Sequence, residues 1–180
     1  MEPDLLDLYR RGSAWSADKV PAALPHLSAP STCDRWDVRT LLNHILQIQR
    51  YFLGMAQGNE IALTPDPPDL LSDDPVSDFQ TVRTEVLRAF GEPGTVERTG
   101  IALAVAFSDQ LVHGWDLAIS TRQDPTLPEG LAEAAFSMIY GRFTDEQRQG
   151  LFKPALSVDD AARAQDKLLA YTGRDPRRAT

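Results

Sequence analysis

Cysteine is nearly absent from this chain: Cys33 stands alone among 180 residues, so no disulfide can close within it, and a reducing compartment is the expected setting. Histidine is almost as scarce, with only His26, His44 and His113. No cluster of lysine and arginine stands out, the formal charge is −8, and the basic tail Arg174, Arg177 and Arg178 is too short to follow a phosphate backbone. Nucleic acid is therefore not an expected partner. Long apolar runs are missing as well: the longest, Ile101 to Phe107, falls far short of the roughly 20 residues a membrane helix needs. The N-terminus shows no charged start leading into an apolar stretch and a cleavage site. The expectation is a soluble, cytoplasmic protein with no membrane partner.

Strict alternation of apolar and polar residues, the mark of half-buried strands, is also scarce. Helical periodicity takes its place. A first helix reads from Leu5 to about Val20, ended by Pro21 and Pro25. Asp34 or Asp37 can cap a second, which runs to about Ala56 before Gly58 stops it. A third spans about Val76 to Phe90 and is broken by Gly91, Pro93 and Gly94. A fourth covers about Gly100 to Ser120, a fifth about Glu129 to Tyr140, and a last one Asp159 to Tyr171, closed by Gly173. The prolines and aspartates of Thr64 to Asp78 make that stretch a long surface connection. The length suits one core and is too short for two ordinary ones, so a single all-α bundle domain is expected over residues 1–172, with a tail at 173–180.

The chemistry concentrates in the fourth helix. Asp109 and His113 stand one helical turn apart in a run that is apolar nearly all round, so both side chains point one way inside a buried helix. On the second helix, His44 falls within the apolar arc formed by Leu41, Ile45, Ile48 and Phe52, and should face the core. A lone buried carboxylate is costly and needs a cation, an arginine or dense hydrogen bonding. A hydrogen-bonded core histidine and an ordinary helical Asp–His bond are the simpler alternatives. Three inward polar groups on two apolar helices favour a divalent metal held by His44, Asp109 and His113 with a coordination position left open. Asp116, one turn beyond His113, is expected to hydrogen-bond His113 rather than to ligate. Cys33 precedes a helix start, where a reactive thiol can arise, although a small buried hydrophobe is the simpler reading. Trp36 and Trp115 read as core or interface aromatics, and His26 has no expected role.

The segment Thr32-Cys33-Asp34-Arg35-Trp36-Asp37-Val38, followed by Leu41-Leu42-Asn43-His44, resembles the DinB-like superfamily, as does Asp109-Gln110-Leu111-Val112-His113-Gly114-Trp115-Asp116-Leu117. Within it, the chain is most similar to an actinobacterial branch related to the metal-binding N-terminal domain of mycothiol-dependent maleylpyruvate isomerase. The ending Asp166-Lys167-Leu168-Leu169-Ala170-Tyr171-Thr172-Gly173-Arg174-Asp175-Pro176 resembles the way that branch finishes. The resemblance implies a four-helix bundle of up-down-down-up topology, with extra short helices, holding zinc or nickel at positions matched by His44, Asp109 and His113. The isomerase carries glutamate where Asp109 stands, and its arginine-bearing C-terminal domain has no counterpart here, so maleylpyruvate isomerisation itself is not expected. What the resemblance does imply is a metal-dependent thiol transferase or isomerase-like enzyme that joins mycothiol or bacillithiol to an electrophilic substrate. Self-association into a homodimer stays open. The competing readings are a non-catalytic, metal-binding or stress-related bundle protein and a structural interaction module that binds no metal.

Overall fold

The computed structural model describes residues 4–144, 146–148 and 152–179, and the described residues are helical, with no strand beyond an isolated bridge between Pro30 and Asp37. The elements are α1 (Leu5–Ala17), α2 (Val20–Ala23), α3 (Val38–Gln57), α4 (Pro75–Phe90), α5 (Thr95–Thr99), α6 (Ala102–Ser120), α7 (Leu131–Ile139) and α8 (Ala164–Tyr171), with 3-10 turns at Leu24–His26 and Pro176–Ala179. Four long helices close a ring: α1 packs on α6 and α4, and α3 packs on α4 and α6. α7 then bridges α6 and α8.

Helix ends follow the local chemistry. Asp4 caps α1 by accepting from the Leu6 amide, and Asp74 caps α4 through the Ser77 amide. Of the two aspartates that could open α3, Asp37 does so, its Oδ1 accepting from both the amide and the hydroxyl of Thr40. Gly58 closes α3 in the left-handed conformation, returning its N–H to the last turn. Three boundaries differ from expectation. The first helix stops at Ala17, and Pro21 serves the first turn of α2 instead of ending α1. α8 begins at Ala164, because Asp159 folds back to accept from the Ala161 amide at 2.7 Å and holds residues 159–162 in a turn. The short α5 fits between the breakers Gly94 and Gly100, where no helix was expected.

Two features position the site. α1 and α6 cross where Gly12 faces Phe107 and Gly114 faces Trp15; a Cβ at Gly114 would lie 2.5 Å from the Trp15 ring. That contact turns the remaining face of α6 towards α3. The connection at 58–74 runs back along α3 as a strap. Asn43 Oδ1 accepts from the amides of Leu70 and Leu71, Asn43 Nδ2 donates to Asp69, and Gln47 Nε2 donates to Thr64 Oγ1 at 2.8 Å. The Thr64 hydroxyl spends its hydrogen on the Asp66 carbonyl, so Gln47 must present its N–H to Thr64, which fixes the amide orientation.

Candidate metal centre

α3 contributes His44 and α6 contributes Asp109, His113 and Asp116, successive turns of one helical face. The two imidazoles meet edge to face, centroids 4.8 Å apart at 79°. The potential ligand atoms of His44, Asp109 and His113 lie within 4.8 Å of one another. His113 Nε2 stands 3.4 Å from Asp109 Oδ1. That is long for a charge-assisted hydrogen bond and close to the separation of about 3.4 Å between two ligands held about 2.1 Å from a tetrahedral ion. His44 Nδ1 and Asp109 Oδ2 are buried without a hydrogen-bond partner. These three residues form the floor of a cavity of about 410 Å³, with Trp36 tilted over His44 at a centroid distance of 4.7 Å.

The other edge of the His113 ring faces a different environment. His113 Nδ1 lies 3.0 Å from Asp116 Oδ2, so a proton placed there leaves the Nε2 lone pair for a ligand on the Asp109 side. Asp116 is saturated. Its carboxylate accepts from Arg174 at 2.8 Å, from the Thr32 hydroxyl at 2.8 Å and from the Cys33 thiol at 3.6 Å. Cys33 is therefore buried as a donor to this carboxylate and is more than a small hydrophobe. Cys33, His113 and Asp116 also lie close enough to hold an ion, but the Arg174 guanidinium already supplies the cation there. A metal would have to displace it. The donor set with unsatisfied atoms is the one built from His44, Asp109 and His113.

Charges follow the same division. Burial pushes the Asp109 carboxyl upward. Burial also works against a charged His113, yet the carboxylates of Asp109 and Asp116 on either side outweigh it and carry the imidazole up to about 10. His44 goes the other way, down to about 3, through burial and the positive charges of His113 and Arg174. Burial alone would raise Asp116, but Arg174 and His113 hold it well below the usual carboxylate range. In the metal-free protein Asp116 is thus answered by Arg174, while Asp109 and His113 face one another as a second acid–base pair.

Arg174 is the residue that sequence reasoning assigned to a tail. α8 ends at Tyr171, and Gly173 turns the chain at φ 82°, where a Cβ would run into Lys153. The arginine is thereby delivered inward, its Nη1 donating to the Thr172 carbonyl and its other nitrogens to Asp116. The one available signal was Asp116 itself, a second carboxylate in a buried helix that needed a cation. Trp115 is wholly buried in the core, and His26 is exposed on its 3-10 turn.

No helix among the described residues is long and apolar enough to cross a membrane. No family model matches the chain, and no solved structure does. The chain is similar to two uncharacterized proteins of Mycobacterium tuberculosis, one from strain CDC 1551 and one from strain H37Rv. Each is 25% identical over 194 aligned positions that cover 98% of this chain and 100% of the relative.

Proposed function

We propose that this protein binds one divalent metal ion, zinc or nickel, through His44, Asp109 and His113, and that it is a metal-dependent enzyme joining a small thiol to an electrophilic substrate. The observation that carries the metal is the contrast in satisfaction: His44 Nδ1 and Asp109 Oδ2 are buried without partners on the cavity floor, while the Asp116 carboxylate accepts from Thr32, Cys33 and Arg174. Two imidazole nitrogens and a carboxylate suit zinc and nickel, and three protein donors leave a position open toward the cavity. A bound metal there would lower the pKa of a thiol and hold it as the thiolate nucleophile. The resemblance to the DinB-like superfamily supports the thiol half of the reading, with mycothiol or bacillithiol as the cosubstrate.

The chain's own residues have separate duties. Asp116 fixes the His113 tautomer, and Arg174 with Thr32 fixes Asp116. Trp36, Phe52 and Phe152 line the cavity and limit access of water. In the overall reaction a C–S bond forms and the S–H bond breaks. The proton ends on the product at the neighbouring carbon, or leaves with the displaced group and its electron pair.

Elemental analysis of untagged protein tests the metal: about one ion per chain is expected in the wild type and none in His113→Ala. Wild type that stays metal-free, with its melting temperature unmoved by added zinc or nickel, refutes the reading. Turnover is tested by following loss of a thiol in the presence of an aryl halide. Activity should vanish in His44→Ala and survive in Cys33→Ala, and equal loss in both would make Cys33 the nucleophile.

A further inference from the structure

The cavity over the candidate metal ligands has walls of one kind. Trp36, Ile48, Phe52, Leu63, Val105 and Phe152 form most of its lining, and Gln47, Thr64 and Tyr51 add uncharged polar atoms. Among the described residues that line it there is no lysine, no arginine and no carboxylate besides Asp109. Of the basic side chains near this end of the bundle, Arg148 stacks on Phe152 and Tyr171 outside that lining and donates to the Tyr171 carbonyl, while Lys153, Arg174 and Arg178 border a different recess of about 220 Å³. The bonds from Asn43 and Gln47 hold the strap wall in place, so the cavity is formed before a ligand arrives.

The charge balance at the floor sets what can enter. A divalent ion held by two neutral imidazoles and one carboxylate, Asp109, with Asp116 already answered by Arg174, leaves one net positive charge facing the cavity. One anionic group neutralises it. A second negative charge further along the same molecule would be buried against Phe52, Val105 or Ile48 with no cation lining the wall to meet it, which is strongly unfavourable.

We propose that this cavity selects a small molecule with a single anionic head, of the thiolate kind, at the metal and an uncharged body along the aromatic walls, and that it rejects molecules carrying a second negative charge. The volume, in the lower part of the range for small-molecule sites of roughly 300–1,000 Å³, suits a reactant of modest size. This inference rests on the metal reading above and chooses between the two thiols named there: mycothiol has an uncharged body, whereas the malate carboxylates of bacillithiol would enter these walls unpaired.

The test uses full-length, zinc-loaded protein and two probes, 4-methylbenzyl mercaptan and 4-(mercaptomethyl)benzoate, which share a thiol head and a ring and differ by a methyl against a carboxylate. Isothermal titration calorimetry should show the methyl compound binding at least about tenfold more tightly, or about 1.4 kcal/mol. Leu63→Arg places a guanidinium at a strap position that is 42% exposed, where folding is not at risk. It should shrink the ratio severalfold without changing zinc content. Equal affinities in the wild type, tighter binding of the carboxylate, or an unchanged ratio in Leu63→Arg overturns the proposal. Zinc content measured on the same samples separates the two levels. Protein that takes up no zinc defeats the metal reading and this one with it, whereas zinc-loaded protein that fails to discriminate defeats this one alone.

Discussion

The two edges of the His113 ring meet opposite solutions to one problem. On the Nδ1 side a buried carboxylate, Asp116, is satisfied from within the chain by a guanidinium, a hydroxyl, a thiol and the imidazole itself. On the Nε2 side a second buried carboxylate, Asp109, has one oxygen 3.4 Å from the imidazole and the other without a partner, next to an unpartnered nitrogen of His44. Both carboxylates project from one face of α6, so helix position does not separate them. The difference lies in what the rest of the fold brings. The loop before α3 and the segment after α8 close around Asp116, while the Asp109 side opens into a cavity. A polar cluster completed from within is structural, and one left incomplete beside a cavity is a place for something exogenous.

The largest expected effect breaks the completed side. Arg174→Met leaves the Asp116 carboxylate buried without its cation and should cost about 3–5 kcal/mol in urea unfolding of the metal-free protein. Adding Asp116→Asn should recover part of that loss, because the two changes act on one pair. The pH dependence has a definite sign. Asp116 is held well below the ordinary aspartate value of 3.8, so its contribution is full above that value and is lost only as pH falls through the depressed folded value.

Next in size is the open side. At a thousandfold excess of zinc over its dissociation constant, wild type should gain about 4 kcal/mol, and Asp109→Asn and His44→Ala should gain nothing. Without metal, Asp109→Asn should cost clearly less than Arg174→Met, since it loses the support that Asp109 gives the His113 imidazolium but also removes a buried carboxylate that lacks a full set of partners. A large loss of metal-free stability in Asp109→Asn would mean that the Asp109–His113 pair is structural and would erase the contrast.

A third measurement sharpens the comparison through protons. The sequence alone places both histidines near the ordinary value of about 6.5, with metal lost below it. In the structure His44 lies near 3 and is already neutral, while His113 lies near 10 and must give up a proton to the metal. Zinc uptake near pH 7.5 should therefore release at least one proton per ion, from His113 with Asp109 adding to it, and affinity should fall at least about tenfold for each pH unit of acidification. Calorimetry in buffers of different ionisation enthalpy counts the protons, and release of none would contradict the His113 assignment. In the metal-free protein the raised His113 stabilises the fold fully below 6.5, and that contribution disappears as pH rises through about 10. The smallest effect belongs to Cys33→Ser. Its sulfur is 3.6 Å from Asp116, a weak bond, and less than about 1 kcal/mol should change.

Much of the site was legible because helical periodicity is a local property. His44 within the apolar arc of α3, and Asp109, His113 and Asp116 on successive turns of α6, follow from spacing alone, and the structure brings the first three of these within 4.8 Å. Asp37 could be recognised as one of two possible caps because capping is settled within three residues. The start of α8 was misplaced for a related reason: Asp159 can open a helix or fold a turn, and here the turn prevails. Arg174 had no periodic pattern to mark it. Its role depends on a contact with Asp116, 58 residues away in sequence, made possible by the turn at Gly173.

The sequence by itself determined most of the helices, the inward direction of His44, Asp109 and His113, and the need of a buried carboxylate for a counter-charge, since all three follow from residue spacing and the cost of removing charge from water. Only the tertiary structure decided which carboxylate would be answered by the chain and which would not. That choice depends on where Arg174, Thr32 and the strap at 58–74 come to rest. These are long-range placements set by packing against α3 and α6, and no local pattern encodes them.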